Sequence, residues 1–383
     1  MRRVYNKQFV LLSAYGSESD RSYVLNEKIR HSLSPQAKDS KIKQLTADLI
    51  ERDASEDEDD YGQHLRDAFH KADVFVDGIN KQSMDFMIKR FLEALFGKNS
   101  LAPTKSEYGM YTARSAALRS TDLSRQVGAA IFSDDGEIIS MGCNEVPKAF
   151  GGTYWDNEEP DNRDIKLGFD PNEVLKREIV RDLLDKLLKA EILDKKFKKI
   201  GDAGDLVDHL TSKSKAKGDK SKGALSSAMI LDLTEYGRVV HAEMCAICDS
   251  ARIGRPLKNS TLYCTTFPCH NCTKHILAAG IKKVVFMEPY PKSRAKELHQ
   301  NEIELDHPSV GKVSFVPFLG IAPFRYRDIF HKNKRKKNGI AEDWYLDNEP
   351  MPMVDVLAPS YTELEAFAIR SLFGDTITID SKP

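Results

Sequence analysis

The sequence contains no apolar run of the roughly 20 residues needed to cross a bilayer as a helix, and no charged-then-apolar signal near its start. A helical membrane protein is excluded, and the expected location is the cytoplasm. Net charge is nearly absent: 57 Lys and Arg face 58 Asp and Glu. The whole-protein positive field of a duplex-binding protein is therefore missing, although a local basic patch stays open. Cysteine is scarce, with six residues, and it is not spread as a disulfide framework. Cys143 stands apart, while Cys245, Cys248, Cys264, Cys269 and Cys272 fall within 28 positions. In a cytoplasmic chain such clustering points to metal or catalytic chemistry. No internal repeat is visible, and no Gly-x-x-x-x-Gly-Lys-Ser/Thr occurs. Gly97-Lys98-Asn99-Ser100 lacks the first glycine, the Ser/Thr after the lysine, and a preceding strand. Without that loop the chain has no cradle for the β- and γ-phosphates of a nucleotide.

With 383 residues and 41% hydrophobic content, the chain can bury a full core as two ordinary domains or one large domain with insertions. Gln8–Ala14 and Asp73–Asp77 read as short buried strands, and the acidic Glu56–Asp60 segment lies between them. Met87, Phe91 and Leu95 give a helix over Met84–Phe96, closed by Gly97. A second α/β unit opens near Ser106 with helix Tyr111–Leu118. Strands Gln126–Phe132 and Ile138–Cys143 follow, bent as a hairpin at Asp134-Asp135-Gly136. Asp170-Pro171-Asn172-Glu173 supplies an N-cap, a first-turn proline and a capping acid for a helix that puts Leu175, Ile179, Leu183 and Leu187 on one face. Lys213–Lys222 reads as an exposed loop. The stretch of about 157–235 is an insertion. Strands at Thr261–Thr265, Lys283–Met287 and Lys312–Pro317 then alternate with helices starting at His241, Cys269 and Arg325.

The strongest chemical signal is His241-Ala242-Glu243 followed, 28 positions beyond His241, by Cys269 in Pro268-Cys269-His270-Asn271-Cys272. One imidazole and two thiolates supply three corners of a tetrahedral zinc site and leave the fourth for water. A Cys-x-x-Cys pair at a helix start favours thiolates. Glu243 stands close enough to move a proton without ligating the metal. The alternative is a structural zinc site completed by Cys245, Cys248 or Cys264. His-x-Glu with Pro-Cys-x-x-Cys is the pattern of zinc nucleobase deaminases.

On these residues the chain resembles the cytidine/deoxycytidylate deaminase family, and its deoxycytidylate branch more closely. Arg119-Ser-Thr-Asp-Leu-Ser-Arg-Gln-Val-Gly-Ala129 is similar to the opening of those enzymes. Gly142-Cys-Asn-Glu-Val-Pro147 is similar to their strand-end motif, with Cys-Asn-Glu-Val-Pro in place of Tyr-Asn-Gly-Met-Pro. The resemblance implies a cytidine-deaminase-like three-layer α/β/α domain over 106–330 carrying the helical insertion. It also implies Zn2+ as cofactor, a deoxycytidine nucleotide as substrate, and a homo-oligomer. Glu243 would be the catalytic acid/base, and His241, Cys269 and Cys272 the metal ligands. Asn144 would bond the sugar, Ser120 or Arg125 would face the phosphate, and Tyr290 would border the base. A turn-stabilising Asn144, a surface Arg125 and a core-edge Tyr290 remain the alternatives. Lys148, Lys292 and Arg294 are further candidates for phosphate, or solvated surface charges.

Over its length the chain resembles the larger bacterial anti-phage deoxycytidylate/dCTP deaminases, which carry a P-loop-kinase-like domain before the deaminase. Leu49-Ile-Glu-Arg-Asp53 and Ala72-Asp-Val-Phe-Val76 are similar to the lid and last strand of nucleotide kinases. Residues 1–100 are accordingly expected to form a partial kinase-like α/β unit without a P-loop, and 331–383 a tail packed on the deaminase domain. The resemblance implies hydrolytic deamination of dCMP or dCTP, with antiviral nucleotide depletion as the role. A polynucleotide-editing deaminase, drawing on Lys213–Lys222 and the Lys332–Lys337 run, and a non-catalytic nucleotide sensor are the competing readings.

Overall fold

The computed structural model describes residues 1–33, 38–54, 65–212, 223–290, 292–354 and 361–373. Glu56–Asp60 and Lys213–Lys222, singled out above, lie outside the described residues. Nine strands are used below: β1 Leu12–Tyr15, β2 Val74–Asp77, β3 Gly128–Phe132, β4 Ile138–Cys143, β5 Thr261–Thr266, β6 Lys283–Glu288, β7 Ile303–Leu305, β8 Val313–Pro317 and β9 Gly320–Ile321.

Six of them form the central sheet in the order β4-β3-β5-β6-β8-β7. β3 pairs antiparallel with β4 and β5, and the remaining pairs are parallel. The β3–β4 hairpin turns where the sequence predicts. Gly136 takes φ +106, and Ser133 N–H donates to the Glu137 carbonyl at 2.9 Å. All five residues of β3 are buried, as expected of a strand covered on both faces.

Two glycines set how closely the helices approach. A Cβ at Gly128 would lie 2.0 Å from the Ala113 carbonyl oxygen, so helix Lys105–Ala117 rests its backbone directly on one face. A Cβ at Gly142 would lie 2.3 Å from the Ala242 carbonyl oxygen, which puts helix Ala242–Arg252 against β4. Gly142 pairs with Ala129, the neighbour of Gly128, so alternation along β3 sends the two helices to opposite faces. The core divides the same way. Ala130, Phe132, Tyr263 and Val285 pack with Met110, while Ala129, Ile131, Leu262 and Cys264 pack with Ala246 and Ile276. The result is the expected three-layer α/β/α arrangement.

The insertion has its own small core, built from Val180 and Leu184 on helix Pro171–Lys189 and Leu206 and Val207 on helix Ala203–Thr211. The buried stripe is not the predicted one. Asn172, Lys176, Val180 and Leu184 face inward, and Leu183 is 49% exposed. The reason is Lys176, whose stem lies inside while its ammonium donates to the Leu231 carbonyl at 2.8 Å. Asn172 Nδ2 likewise donates to the Leu233 carbonyl at 2.9 Å.

The N-terminal segment forms a three-stranded sheet in the order β1-β2-β9. β1 and β2 run parallel, and β9 joins antiparallel from beyond β8. Strand pairing therefore runs across the expected boundary near residue 100. Arg325, fully buried on helix Pro323–Phe330, reinforces the link by donating from Nε to Asp73 Oδ1 at 2.7 Å.

Two backbone bonds of the tail run to residues 95–97. Gly97 ends helix Lys81–Leu95 at φ +83 and leaves carbonyls free. Met353 N–H donates to Leu95 O at 2.7 Å and Tyr345 N–H to Gly97 O at 2.8 Å.

Candidate metal centre

Two helix starts converge on one point. His241 is the N-cap of helix Ala242–Arg252, and Cys269 is the N-cap of helix His270–Ala278, its sulfur accepting from Cys272 N–H at 3.4 Å. The chain reaches His241 through a backbone bridge in which Val240 N–H donates to Glu145 O at 3.0 Å and Glu145 N–H to Val240 O at 3.2 Å. It reaches Cys269 from the end of β5.

His241 Nδ1 stands 3.3 Å from Cys269 Sγ and 3.5 Å from Cys272 Sγ, and the three ligand atoms lie within 4.8 Å of one another. A borderline-soft nitrogen and two sulfurs at that spacing suit zinc, and three protein ligands are the number a catalytic zinc site uses. Among the described residues no fourth His, Cys, Asp or Glu joins the group. Cys245 is buried and Cys248 exposed, Cys264 is buried beside Glu243, and none of the three joins the group as a fourth ligand.

The ligand side chains act on one another's charge. A hydrogen bond from Cys272, assisted by His241, holds the Cys269 thiol well below the usual thiol range. The Cys269 contact in turn raises His241 to about 9. Glu243 is 4% exposed, with Oε2 3.5 Å from Cys272 Sγ. Burial raises its carboxyl pKa and the charge of Cys269 adds to this, while His241 opposes it. The carboxyl thus sits beside the cluster and holds its proton more tightly than an exposed carboxyl does.

The remaining sequence-predicted residues are arranged less simply. Asn144 is buried at the end of β4, and its amide serves the loop 120–127. Oδ1 accepts from Val127 N–H at 2.7 Å, and Nδ2 donates to Asp122 Oδ2 and to the Arg125 carbonyl. Ser120 is 2% exposed and donates to the Asn144 carbonyl at 2.6 Å, so its hydroxyl is engaged inside the protein. Arg125 is exposed and ion-paired with Glu288 at the end of β6. Tyr290 is half-buried two residues further on, and burial with the nearby Cys269 charge raises its phenol pKa. Lys148, Lys292 and Arg294 pair with Glu158, Asp232 and Glu297 at 2.5, 2.6 and 2.9 Å.

Two residues of this layer escape the sequence reading. Asp122, bonded to Asn144, has its carboxyl pKa raised by burial, with Asp170 and Glu145 adding to it. Glu145 is 2% exposed. Both lie inside the quoted motifs, and Glu145 stands where the family pattern has glycine. That departure was the available signal.

A zinc-binding fold of this kind defines the class of the segment. Residues 103–288 match the model of the cytidine and deoxycytidylate deaminase zinc-binding region, a little under half of the chain, and this segment belongs to that family. Deoxycytidylate deaminase of Enterobacteria phage T2 is 44% identical over 55 residues, 14% of this chain and 29% of that protein. ComE operon protein 2 of Bacillus subtilis is 37% identical over 94 residues, 21% of this chain and 50% of that protein. The chain thus spans half the length of these curated relatives or less. Among solved structures, the dCMP deaminase from the cyanophage S-TIM5 in complex with dCMP and dUMP is 18% identical with a TM-score of 0.30. That similarity covers 57% of this chain and 98% of the phage protein. Among the described residues no helix is long and apolar enough to cross a membrane.

Proposed function

We propose that the protein is a zinc-dependent hydrolase that replaces the 4-amino group of cytosine, in a deoxycytidine nucleotide, with oxygen and releases ammonia. The observation that carries this is the convergence of His241 Nδ1 and the sulfurs of Cys269 and Cys272 beside the buried Glu243 carboxyl. His241, Cys269 and Cys272 hold the metal. When bound there, zinc supplies Lewis-acid activation of water. Glu243 would accept one proton from the attacking water and deliver it to N3 of the base, then carry the second, from the hydroxyl left on C4, to the departing amine. Water is consumed and ammonia leaves, so no other reactant is required.

Tyr290 borders the base. The loop 120–127, tied to Asn144, receives the sugar and phosphate, with Arg125 its exposed cation. The relatives named deoxycytidylate deaminase favour dCMP, and the resemblance to the larger defence enzymes favours dCTP. Lys148, Lys292 and Arg294 would have to exchange their carboxylate partners for added phosphates. Cytoplasmic nucleotide depletion against phage, by a homo-oligomer, goes with the dCTP reading. The N-terminal sheet serves as a kinase-like remnant without phosphate-binding chemistry.

The test is ammonia release from dCMP, dCTP, CTP and cytidine by protein of measured zinc content. One deoxycytidine nucleotide should dominate. Glu243→Gln should keep its zinc and lose roughly 10²–10⁴ in turnover. A Glu243→Gln protein working near the wild-type rate overturns the assignment.

A further inference from the structure

We propose that Glu145 is a positioning residue that fixes the loop 120–127 in the form that receives the nucleotide. The inference rests on the deaminase reading above and deepens it.

Glu145 carries a charge into a site where it is 2% exposed, and its carboxylate is matched to donors. Oε2 accepts from Thr121 N–H at 2.8 Å and from Thr121 Oγ1 at 2.8 Å, and Oε1 accepts from Val146 N–H at 2.9 Å. A glycine here, as in the family pattern, would leave the two Thr121 donors without this acceptor. The adjacent Asn144 ties the middle and far end of the same loop through Asp122, Arg125 and Val127. Ser120 closes the near end on the Asn144 carbonyl. Two neighbouring residues at the end of β4 therefore hold the loop along its length.

The loop borders the candidate site. Its Arg125 crosses to Glu288, two residues before Tyr290. The backbone of Glu145 also pairs with Val240, next to the ligand His241. One residue thus joins the metal ligand, through its main chain, to the loop, through its side chain. A side-chain substitution breaks the second connection and leaves the first.

A carboxylate only accepts, whereas glutamine of equal size must turn an N–H2 group toward the N–H of Thr121 or Val146. Glu145→Gln is therefore a same-volume change that sets donor against donor. A residue that merely fills space would alter thermal stability and leave substrate affinity alone.

The experiment compares full-length, zinc-loaded wild type, Glu145→Gln and Thr121→Val. It measures KM and kcat with the deoxycytidine nucleotide that wild type turns over best, and zinc content and Tm are recorded. Glu145→Gln should raise KM about tenfold, keep kcat within about threefold and retain its zinc, because it loses bonds to the loop and none to the metal ligands. Thr121→Val, which removes one of the donors, should raise KM about threefold. Unchanged KM in Glu145→Gln, or a fall confined to kcat or zinc, overturns the positioning role. Should Glu145→Gln fail to fold, an unchanged KM in Thr121→Val overturns it alone. A wild type that releases ammonia from no cytosine nucleotide removes the deaminase reading and this inference together. A working wild type beside a Glu145→Gln of unchanged KM removes the positioning role only.

Discussion

Arg325→Met tests whether the N-terminal strands and helix Pro323–Phe330 form one stable body. Both charged groups of the Asp73–Arg325 pair are fully buried. Arg325 Nε donates to Asp73 Oδ1 at 2.7 Å, and Nη2 donates to the carbonyls of Lys7 and Phe9. Asp73 also accepts from Leu11 N–H at 2.6 Å and from Arg2 at 3.0 Å. Methionine keeps much of the stem but removes every one of the arginine's bonds. Two carbonyls are then left without donors, and Asp73 keeps only Leu11 and the part-exposed Arg2.

Removing one partner of a buried pair costs roughly 3–5 kcal/mol, and the surviving Arg2 contact places this case near the lower end, about 3 kcal/mol. With a urea slope on the order of 2 kcal/mol/M, the unfolding midpoint should fall by about 1.5 M. Fluorescence-detected urea unfolding of wild type and variant measures this. Adding Asp73→Asn should recover part of the loss, because no uncompensated charge is then buried. A single-variant loss below about 1 kcal/mol refutes the argument that this pair holds the two ends together.

Cys272→Ala should lose most of its bound zinc. Chelation of wild type should lower Tm, since a ligand at 100 times its Kd contributes about 2.7 kcal/mol to the folded state. Zinc analysis and calorimetry check both. Gly142→Val drives a side chain against the Ala242 carbonyl and Ala246 N–H, 2.3 and 2.5 Å from the built Cβ. It should cost at least about 2 kcal/mol and deplete zinc, because the displaced helix carries His241 and Glu243. Tyr15 donates to Asp306 Oδ1 at 2.6 Å, and burial, followed by that carboxylate, raises its phenol pKa far above the ordinary 10.0. The unfolded chain ionises first as pH climbs past about 10, so this stability is full below that pH and is lost above it. Tyr15→Phe should flatten the decline between about pH 9 and 11 in urea midpoints.

The parts of the site carried by short, rigid spacings were legible. His241 with Glu243, and Cys269 with Cys272, are fixed by helix starts, and the β3–β4 hairpin announces itself in Asp135-Gly136. What stayed hidden depends on partners remote in sequence. β9 is two residues long and has no periodicity of its own, and it is a strand because β2 offers it an edge. Leu183 reads as a core position until the Leu231 carbonyl draws Lys176 inward in its place. Ser120 reads as a free hydroxyl until the fold sets the Asn144 carbonyl above it. The zinc pattern needed no tertiary knowledge, whereas the loop that surrounds it did.

β8 ends at Pro317 and β9 begins at Gly320, so only Phe318 and Leu319 separate the large sheet from the small one. Phe318 N–H is anchored to Phe286 O at 2.7 Å and Ala322 N–H to Asp73 O at 3.0 Å. With both sides of so short a link pinned, the sheets cannot tilt independently. A load on the N-terminal strands is passed to β6, whose far end carries the Glu288 that grips Arg125.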